Sequence, residues 1–478
     1  MPCPYLLFFL LLLPACHAIS PAPADSHLTH GIAVGEVSPT AAVVWGRCNR
    51  DTSLHVRREG ADVELSADVT DATDFTGKIV LAGLAPDTHY TYRVWCGDGR
   101  AGGLAGEFRT APDPALPRPV HFAWSGDVGG QNVCRDRRLG YPIFARIAAL
   151  GFDFFIGLGD MIYADDPCLP LGRYGNTQIV GPLPATNIAG YWAHWRYNRA
   201  EANTQRLLAA LPYFGVWDDH EIRDDSGPHD DESRLAPGGH LLPIALRAFL
   251  DYQPLVPPAS RPTRLYRSVR WGRHIEIFLL DTRQYRDPLA ALDSDANPKT
   301  MLGNEQLAWL EQSLRSSDAT WKVIVASVPL SIPTGRAARD GFADGDGLGY
   351  EHEAAQIFRA LRSAGIRNSL WITTDVHFGT GFAYRPFADD PTWVSYEYTS
   401  GPLNAGVFPH LKLATTFNPE RLFLYGPSSP DAIASYDEAI GWFNFGVVDV
   451  SADGVLEVSI VNGRGETVFR QTLQPDSR

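Results

Sequence analysis

Five apolar runs of this sequence each end in a carboxylate, and two of those endings also carry a histidine. VHFAWS (120–125) leads into Gly126-Asp127, and FDFFIGL (152–158) into Gly159-Asp160-Met161-Ile162-Tyr163. YFGVW (213–217) leads into Asp218-Asp219-His220-Glu221, IEIFLL (275–280) into Asp281-Thr282-Arg283, and SLWITT (369–374) into Asp375-Val376-His377. Taken singly, an aspartate after a buried strand is an ordinary helix cap or turn former. Taken together they have another consequence. Carboxylates gathered at one edge repel each other and lose solvation, so the cluster calls for cations. The joint pattern reads as a dinuclear metal site.

Such endings need a sheet whose strands finish at a common edge. Apolar strands at 120–125, 152–158, 213–217, 275–280, 321–328 and 370–374 alternate with helical segments at 141–150, 190–210, 304–316 and 352–364. That alternation predicts an α/β domain with a largely buried sheet, and ligands gather beyond the carboxyl ends of such strands. Residues 440–473 read as β-hairpins turning at Asp453-Gly454 and Asn462-Gly463. Upstream, AAVVWGRC, SLHVRRE, KIVLAGL and HYTYRVWC are short β-type runs between Asp, Gly and Pro turns. They predict a small fibronectin type III-like β-sandwich over 27–112, and the Pro-rich stretch 111–119 joins it to a main domain over 119–475.

At 478 residues, with 45% hydrophobic and 20% charged residues, the chain can bury a sizeable core. The formal net charge of −14 disfavours nucleic acid and anionic membranes at long range. Attraction for an anionic substrate must then come from local cations. Residues 5–14 (YLLFFLLLLP) are too short to span a bilayer and read, with Ala18, as a signal peptide over 1–18. Cys16 offers lipid anchoring as the alternative to simple secretion, and no transmembrane helix is expected after processing. Cys3 and Cys16 fall in the signal. Cys48, Cys96, Cys134 and Cys168 remain, an even number suited to an oxidising compartment. Pairing 48 with 96 and 134 with 168 keeps each bridge within one unit, and buried free thiols are the alternative. Tyr191, Trp192, Trp195 and Tyr197, with His194 and Arg196, read as core packing on a helix rather than a base-stacking platform. The acidic stretch 224–232 reads as a solvated loop.

GDMIYAD, GVWDDHE, LLDTRQYRD, LGNEQLAWLEQSL and TTDVHFG occur in this order. The combination resembles the alkaline phosphatase D (PhoD-like) branch of the calcineurin-like metallophosphoesterases, over roughly residues 30–470. The resemblance implies a four-layer α/β/β/α sandwich, two mixed sheets flanked by helices, behind the β-module. By position it assigns Asp127 to a first metal, Asp160 to a bridge between two, Tyr163 to a phenolate ligand and Asp219 to the second metal. His377 completes the first site and Asp375 lies on the second, while Asp218 is either a ligand or a partner of one. The family pairs ferric iron with calcium. Carboxylate-rich ligation suits calcium, magnesium or manganese, and the tyrosine and histidine suit iron. The implied activity is hydrolysis of phosphate esters by a metal-activated hydroxide, with His220 contacting a phosphate oxygen or assisting the leaving group. Arg283 is either a fork donor to phosphate or the partner of a nearby aspartate. A phospholipase D-like phosphodiesterase is the neighbouring reading, and a non-catalytic surface binder the reading from another class.

The sequence departs from the family at the end of the first strand of the main domain and in one late loop, and from related phosphoesterases in ASVPLS. Where a cysteine often ends the first strand, this chain reads Trp124-Ser125-Gly126-Asp127, and ASVPLS (326–331) offers no histidine to the second metal. The loop before the last predicted helix, DGDGLGYEHE, lacks a tryptophan often found there.

Overall fold

The computed structural model describes residues 26–229, 239–335, 339–346 and 349–476. The predicted signal at 1–18, Cys16 and the end of the acidic loop (230–232) lie outside the described residues.

Seven strands come first: β1 (Leu28–Gly35), β2 (Ala41–Cys48), β3 (Thr52–Arg58), β4 (Glu64–Val69), β5 (Thr76–Ala82), β6 (His89–Cys96) and β7 (Leu104–Arg109). After the Pro-rich stretch come β8 (Val120–Ser125), α1 (Pro142–Ala148), β9 (Phe154–Leu158), α2 (Ile188–Arg199), α3 (Ala202–Ala210), β10 (Tyr213–Val216) and α4 (Leu242–Tyr252). The next stretch holds β11 (Arg267–Trp271), β12 (Ile275–Leu279), α5 (Gly303–Ser316), β13 (Trp321–Val325), α6 (Glu351–Ser363) and β14 (Ser369–Thr373). The chain finishes with β15 (Gly379–Tyr384), β16 (Ser395–Thr399), β17 (Pro419–Tyr425), α7 (Tyr436–Trp442), β18 (Asn444–Val450), β19 (Leu456–Asn462) and β20 (Thr467–Leu473).

The strands with continuous apolar runs, such as β9, β13 and β14, are buried along their whole length, as parallel strands covered on both faces must be. Two large sheets pack face to face. One has the order β20-β19-β18-β8-β9-β10-β1-β2-β5, the other β11-β12-β13-β14-β16-β15-β17. Phe122, Trp124, Phe154 and Ile156 of the first meet Ile277, Val323 and Leu370 of the second in the central core. Outside the first sheet, Phe144, Trp195, Leu207 and Phe249 bury helices α1 to α4. Outside the second, Leu310, Leu314, Ile357 and Phe358 bury α5 and α6. The layers are therefore helix, sheet, sheet, helix.

The predicted helix over 190–210 is two helices. Glu201 interrupts it, its carboxylate capping the amides of Asn203 and Thr204 to start α3. Tyr191 and Trp195 on α2 are buried in the core, Trp195 stacking on Tyr252 at 6.1 Å.

The β-module is not a bead on a linker. β1 pairs in parallel with β10 at Gly35 and Tyr213, so β1, β2 and β5 extend the first large sheet. The remaining strands form a second layer, β4-β3-β6-β7. Val34, Leu54, Val94 and Phe108 share one core with Phe214 and Val216. Trp45 donates its indole N–H to the Asp251 carbonyl at 2.8 Å, and Lys78 reaches the carbonyls of Leu250 and Leu255. Both bridges form: Cys48–Cys96 ties the two layers of the module and Cys134–Cys168 ties two loops, with Cα separations of 5.9 and 5.8 Å. Among the described residues no helix is long and apolar enough to cross a membrane.

Candidate metal centre

Asp127, Asp160, Asp218, Asp281 and Asp375 each stand two residues beyond the end of a strand: β8, β9, β10, β12 and β14. Four of the five converge. The fifth, Asp281, is a turn former, accepting from Trp217 Nε1 and from the amides of Arg283 and Gln284. Asp127, Asp160 and Asp218 come from the nine-stranded sheet, Asp375 and His377 from the seven-stranded one, so the centre sits where the two sheets share an edge.

The backbone there is strained. Asp127, Asp160, Asp375 and His377 all have positive φ, at 66°, 52°, 77° and 58°. Non-glycine residues hold that conformation only where surroundings impose it, and such residues cluster at working sites. Here the imposing contacts are visible. Val128 N–H donates to the Asp160 carbonyl at 2.7 Å, and Asp127 N–H to the Gly159 carbonyl at 3.3 Å, locking the first two loops together. Glu221 locks the third, its carboxylate accepting from the amides of Asp160, Met161 and Asp218, each at 2.8 Å. Gly130 leaves room for Tyr163, since a Cβ there would lie 2.3 Å from the phenol ring.

Two groups of ligand atoms result. Asp127, Asp160 and His377 offer one, with Tyr163 Oη 2.9 Å from His377 Nε2 and Asp127 Oδ1 3.6 Å from that nitrogen. His377 Nδ1 donates to the Gly406 carbonyl, which leaves Nε2 as the lone-pair nitrogen facing the centre. Burial pushes the imidazole down to about 3, so it is held neutral as a ligand must be. Asp218, Asp219 and Asp375 form the second group, and Asp160 with Asp219 and His220 lies between. Asp219 also approaches Asp224 and Asp225.

The donors fit cations on their own evidence. Asp127 Oδ1, Asp218 Oδ2 and Asp375 Oδ2 are buried with no hydrogen-bond donor among the described residues. Burial, and then mutual repulsion, pushes the carboxyls up: Asp218 to about 6, Asp160 and Asp375 well above the usual range. Asp127 reaches about 8 despite a hydrogen bond from Thr374 Oγ1 at 2.7 Å. Burial and the charges of Asp160, Asp127 and Asp219 also push the Tyr163 phenol up, so a phenolate there needs a cation beside it. Protein groups leave this cluster of acceptors unfilled, and hard cations fill such sets.

Around the ligands, His220 stacks on Tyr163 at 4.0 Å and its Nδ1 lies 2.7 Å from Asp165 Oδ1. Burial alone would lower its pKa, but Asp165, Asp219 and Asp160 together raise it well above the usual value. Arg283 takes the second of its two predicted arrangements. Wholly buried, it donates from Nε to Asp218 at 2.5 Å and forks onto Asp340 at 2.7 Å on both terminal nitrogens. Its guanidinium thus pins a carboxylate of the candidate centre, with all three nitrogens on Asp218 and Asp340.

Sequence reasoning passed over Asp165, Glu221, Asp340 and Thr374. Asp165 was the most findable, lying inside GDMIYAD five residues after Asp160. Ser327, within ASVPLS (326–331), donates to Asp218 Oδ1 at 2.7 Å. The acidic stretch predicted to be solvated is not so at its start: Asp225 and Ser226 are buried beside Asp219, whose Oδ2 accepts from the Asp225 amide.

Comparison with known proteins agrees with this architecture. The model of the PhoD-like phosphatase family matches residues 122–453, and that of the PhoD-like phosphatase N-terminal domain matches residues 15–112. Alkaline phosphatase D of Bacillus subtilis (strain 168) is 27% identical over 311 residues, 62% of this chain. The match spans 52% of that relative, about half its length. A solved structure of PhoD shares the fold at a TM-score of 0.74 and 20% identity, covering 95% of this chain and 94% of that one. A purple acid phosphatase from yellow lupin seeds does so at 0.63 and 13%, covering 93% and 74%. With a family model spanning well over half its length, the chain belongs to the PhoD-like phosphatase family.

Proposed function

We propose that the chain is an exported metal-dependent phosphoesterase that hydrolyses phosphomonoesters, phosphodiesters or both. The observation that carries this reading is the set of buried carboxylate oxygens without donors at the meeting edge of two sheets. Asp127, Asp160, Tyr163 and His377 would hold ferric iron, and Asp160, Asp218, Asp219 and Asp375 would hold calcium, with manganese or magnesium as substitutes. Cations bound there would neutralise phosphoryl charge and lower the pKa of water.

The remaining work falls to the chain. Asp165 fixes the His220 ring through Nδ1, so that Nε2 is the nitrogen able to donate to a phosphate oxygen or a leaving group. Stacking on Tyr163 keeps that ring against the centre. Arg283 and Ser327 pin Asp218 by one oxygen and leave the other for a cation. Export is supported by the two disulfides, which persist in oxidising compartments, and by the apolar run at 5–14.

The test is metal analysis of the mature protein together with hydrolysis of matched monoester and diester nitrophenyl phosphates, with and without chelator. Bound iron and calcium with chelator-sensitive turnover is the expected result, and the diester-to-monoester ratio sets the substrate class. Turnover that survives complete metal removal would overturn the reading.

A further inference from the structure

The loops bridged by Cys134–Cys168 build a small ribbon beside the centre. Ile179 N–H donates to the Arg135 carbonyl, Arg137 N–H to Thr177, Gln178 N–H to Pro170 and Gly181 N–H to Cys168, at 2.9 to 3.1 Å. Three stretches, 135–137, 177–181 and 168–172, are thereby knitted side by side. Its stretch 168–172 begins three residues after Asp165, and Gln131 N–H ties the base of the ribbon to Asp166.

Its outer surface is unusual. Leu169, Leu171, Val180 and Leu183 are exposed at 51%, 64%, 56% and 82%, and Leu139 at 36%. Pro167, Pro170 and Pro184 are exposed among them. These five make up much of the large apolar surface found among the described residues. Arg137 and Arg138 are also exposed on the ribbon; Asp136 Oδ1 accepts from the Arg138 amide at 2.9 Å, and among the described residues no carboxylate lies within ion-pair distance of either guanidinium. Arg173 at its tip is paired with Asp431 at 3.3 Å. Aliphatic side chains at a rigid edge, flanked by unpaired arginines, are the composition of a surface that sits at a lipid interface.

We propose that this ribbon seats the protein on an anionic lipid bilayer, the aliphatic tips entering the headgroup boundary and Arg137 and Arg138 meeting lipid phosphates. The occupant follows from the two halves of the patch. A soluble polyanion would use the arginines but gains nothing from five exposed aliphatic residues. An apolar protein groove would use the aliphatics but leave unpaired cations beside them. The net charge of −14 opposes approach from afar, yet the Debye length is only about 8 Å at physiological ionic strength, so the ribbon's own charges govern contact. Partitioning goes beyond the hydrolytic reading and is measured without turnover, so the two stand or fall separately.

The experiment is co-sedimentation of the full mature protein with vesicles of phosphatidylcholine alone or mixed with phosphatidylglycerol, at low and high salt. Pelleting with the mixed vesicles, weakened by salt, is expected. Replacing Arg137→Glu and Arg138→Glu together should lower partitioning by about fivefold or more per arginine, since each near an anionic surface contributes roughly 1 kcal/mol. Leu169→Asp with Leu183→Asp should abolish it. Circular dichroism and turnover of a soluble ester should match the parent in both variants. A parent that never pellets, or variants that pellet like it, would overturn the proposal. So would binding to soluble polyphosphate that the leucine changes leave intact, which would make the ribbon a polyanion site.

Discussion

Two buried acidic sites in this molecule differ in how fully the protein satisfies them. Asp74, in the β-module, accepts from Arg47 Nε and Nη2, from Arg196 Nη1 and from the Tyr252 hydroxyl. Burial alone would raise its carboxyl, but these partners bring it below its usual value. Asp127 and Asp160 are more deeply buried still, Asp375 is partly exposed with its Oδ2 buried, and all three carboxyls are pushed up. The contrast teaches that burial of an aspartate says little about its role. Unfilled acceptor capacity separates a structural carboxylate from one built for a cation.

Substitutions at the two sites should therefore fail in opposite ways. Asp160→Asn should lower turnover by about 10²–10³-fold or more, the scale of losing a charge-stabilising group, and should reduce bound metal. Its melting temperature without metal should fall little, because repulsion is relieved. Kinetics, metal content and calorimetry on one preparation check all three. Asp74→Ala should do the reverse. It strands Arg47 and Arg196 and should cost about 3–5 kcal/mol in a denaturant titration, while turnover per folded molecule stays near that of the parent.

Metal removal should separate the two sites further. Free cation at a hundredfold its Kd should stabilise the parent by about 2.7 kcal/mol, and chelation should remove that gain in Asp74→Ala as well but not in Asp160→Asn. Next in size comes Asp165→Asn, which loosens His220 without removing a ligand. A 10–100-fold loss of turnover is expected, the usual scale for a supporting partner, with metal content retained. The smallest effect is in acid. The folded pKa of Asp74 lies below its unfolded 3.8, so its stabilisation is complete above 3.8 and is lost as pH falls through the lower folded value. Acid unfolding of Asp74→Ala should accordingly show a shallower slope below about pH 4 than the parent.

The candidate ligands were legible because strands buried on both faces leave a long apolar signature, and a Gly-Asp at its end is conspicuous. Asp127 and Asp160 stand out on that ground, and Tyr163 and His377 enter as candidates through the resemblance that the order of motifs carries. Asp340 left no such trace, since it sits in a loop without periodicity and matters only because the fold brings Arg283 and Arg286 to it. Arg283 showed both of its options in sequence, and only packing chose between them. The α2–α3 break was hidden because Glu201 is an uncommon cap in a stretch that is helical on either side. The pairing of β1 with β10 joins residues 35 and 213, a separation that no local pattern encodes.

That pairing also decides how the protein can be handled. A truncation at the Pro-rich stretch would keep every candidate ligand, yet it would strip β1 from the side of β10. The buried run Tyr213–Val216 would become a bare sheet margin of unpaired amides and carbonyls, a template for strand addition by neighbouring chains. The β-module thus acts as a lid on an adhesive seam, and a fragment lacking it should be lost to aggregates before its chemistry can be measured.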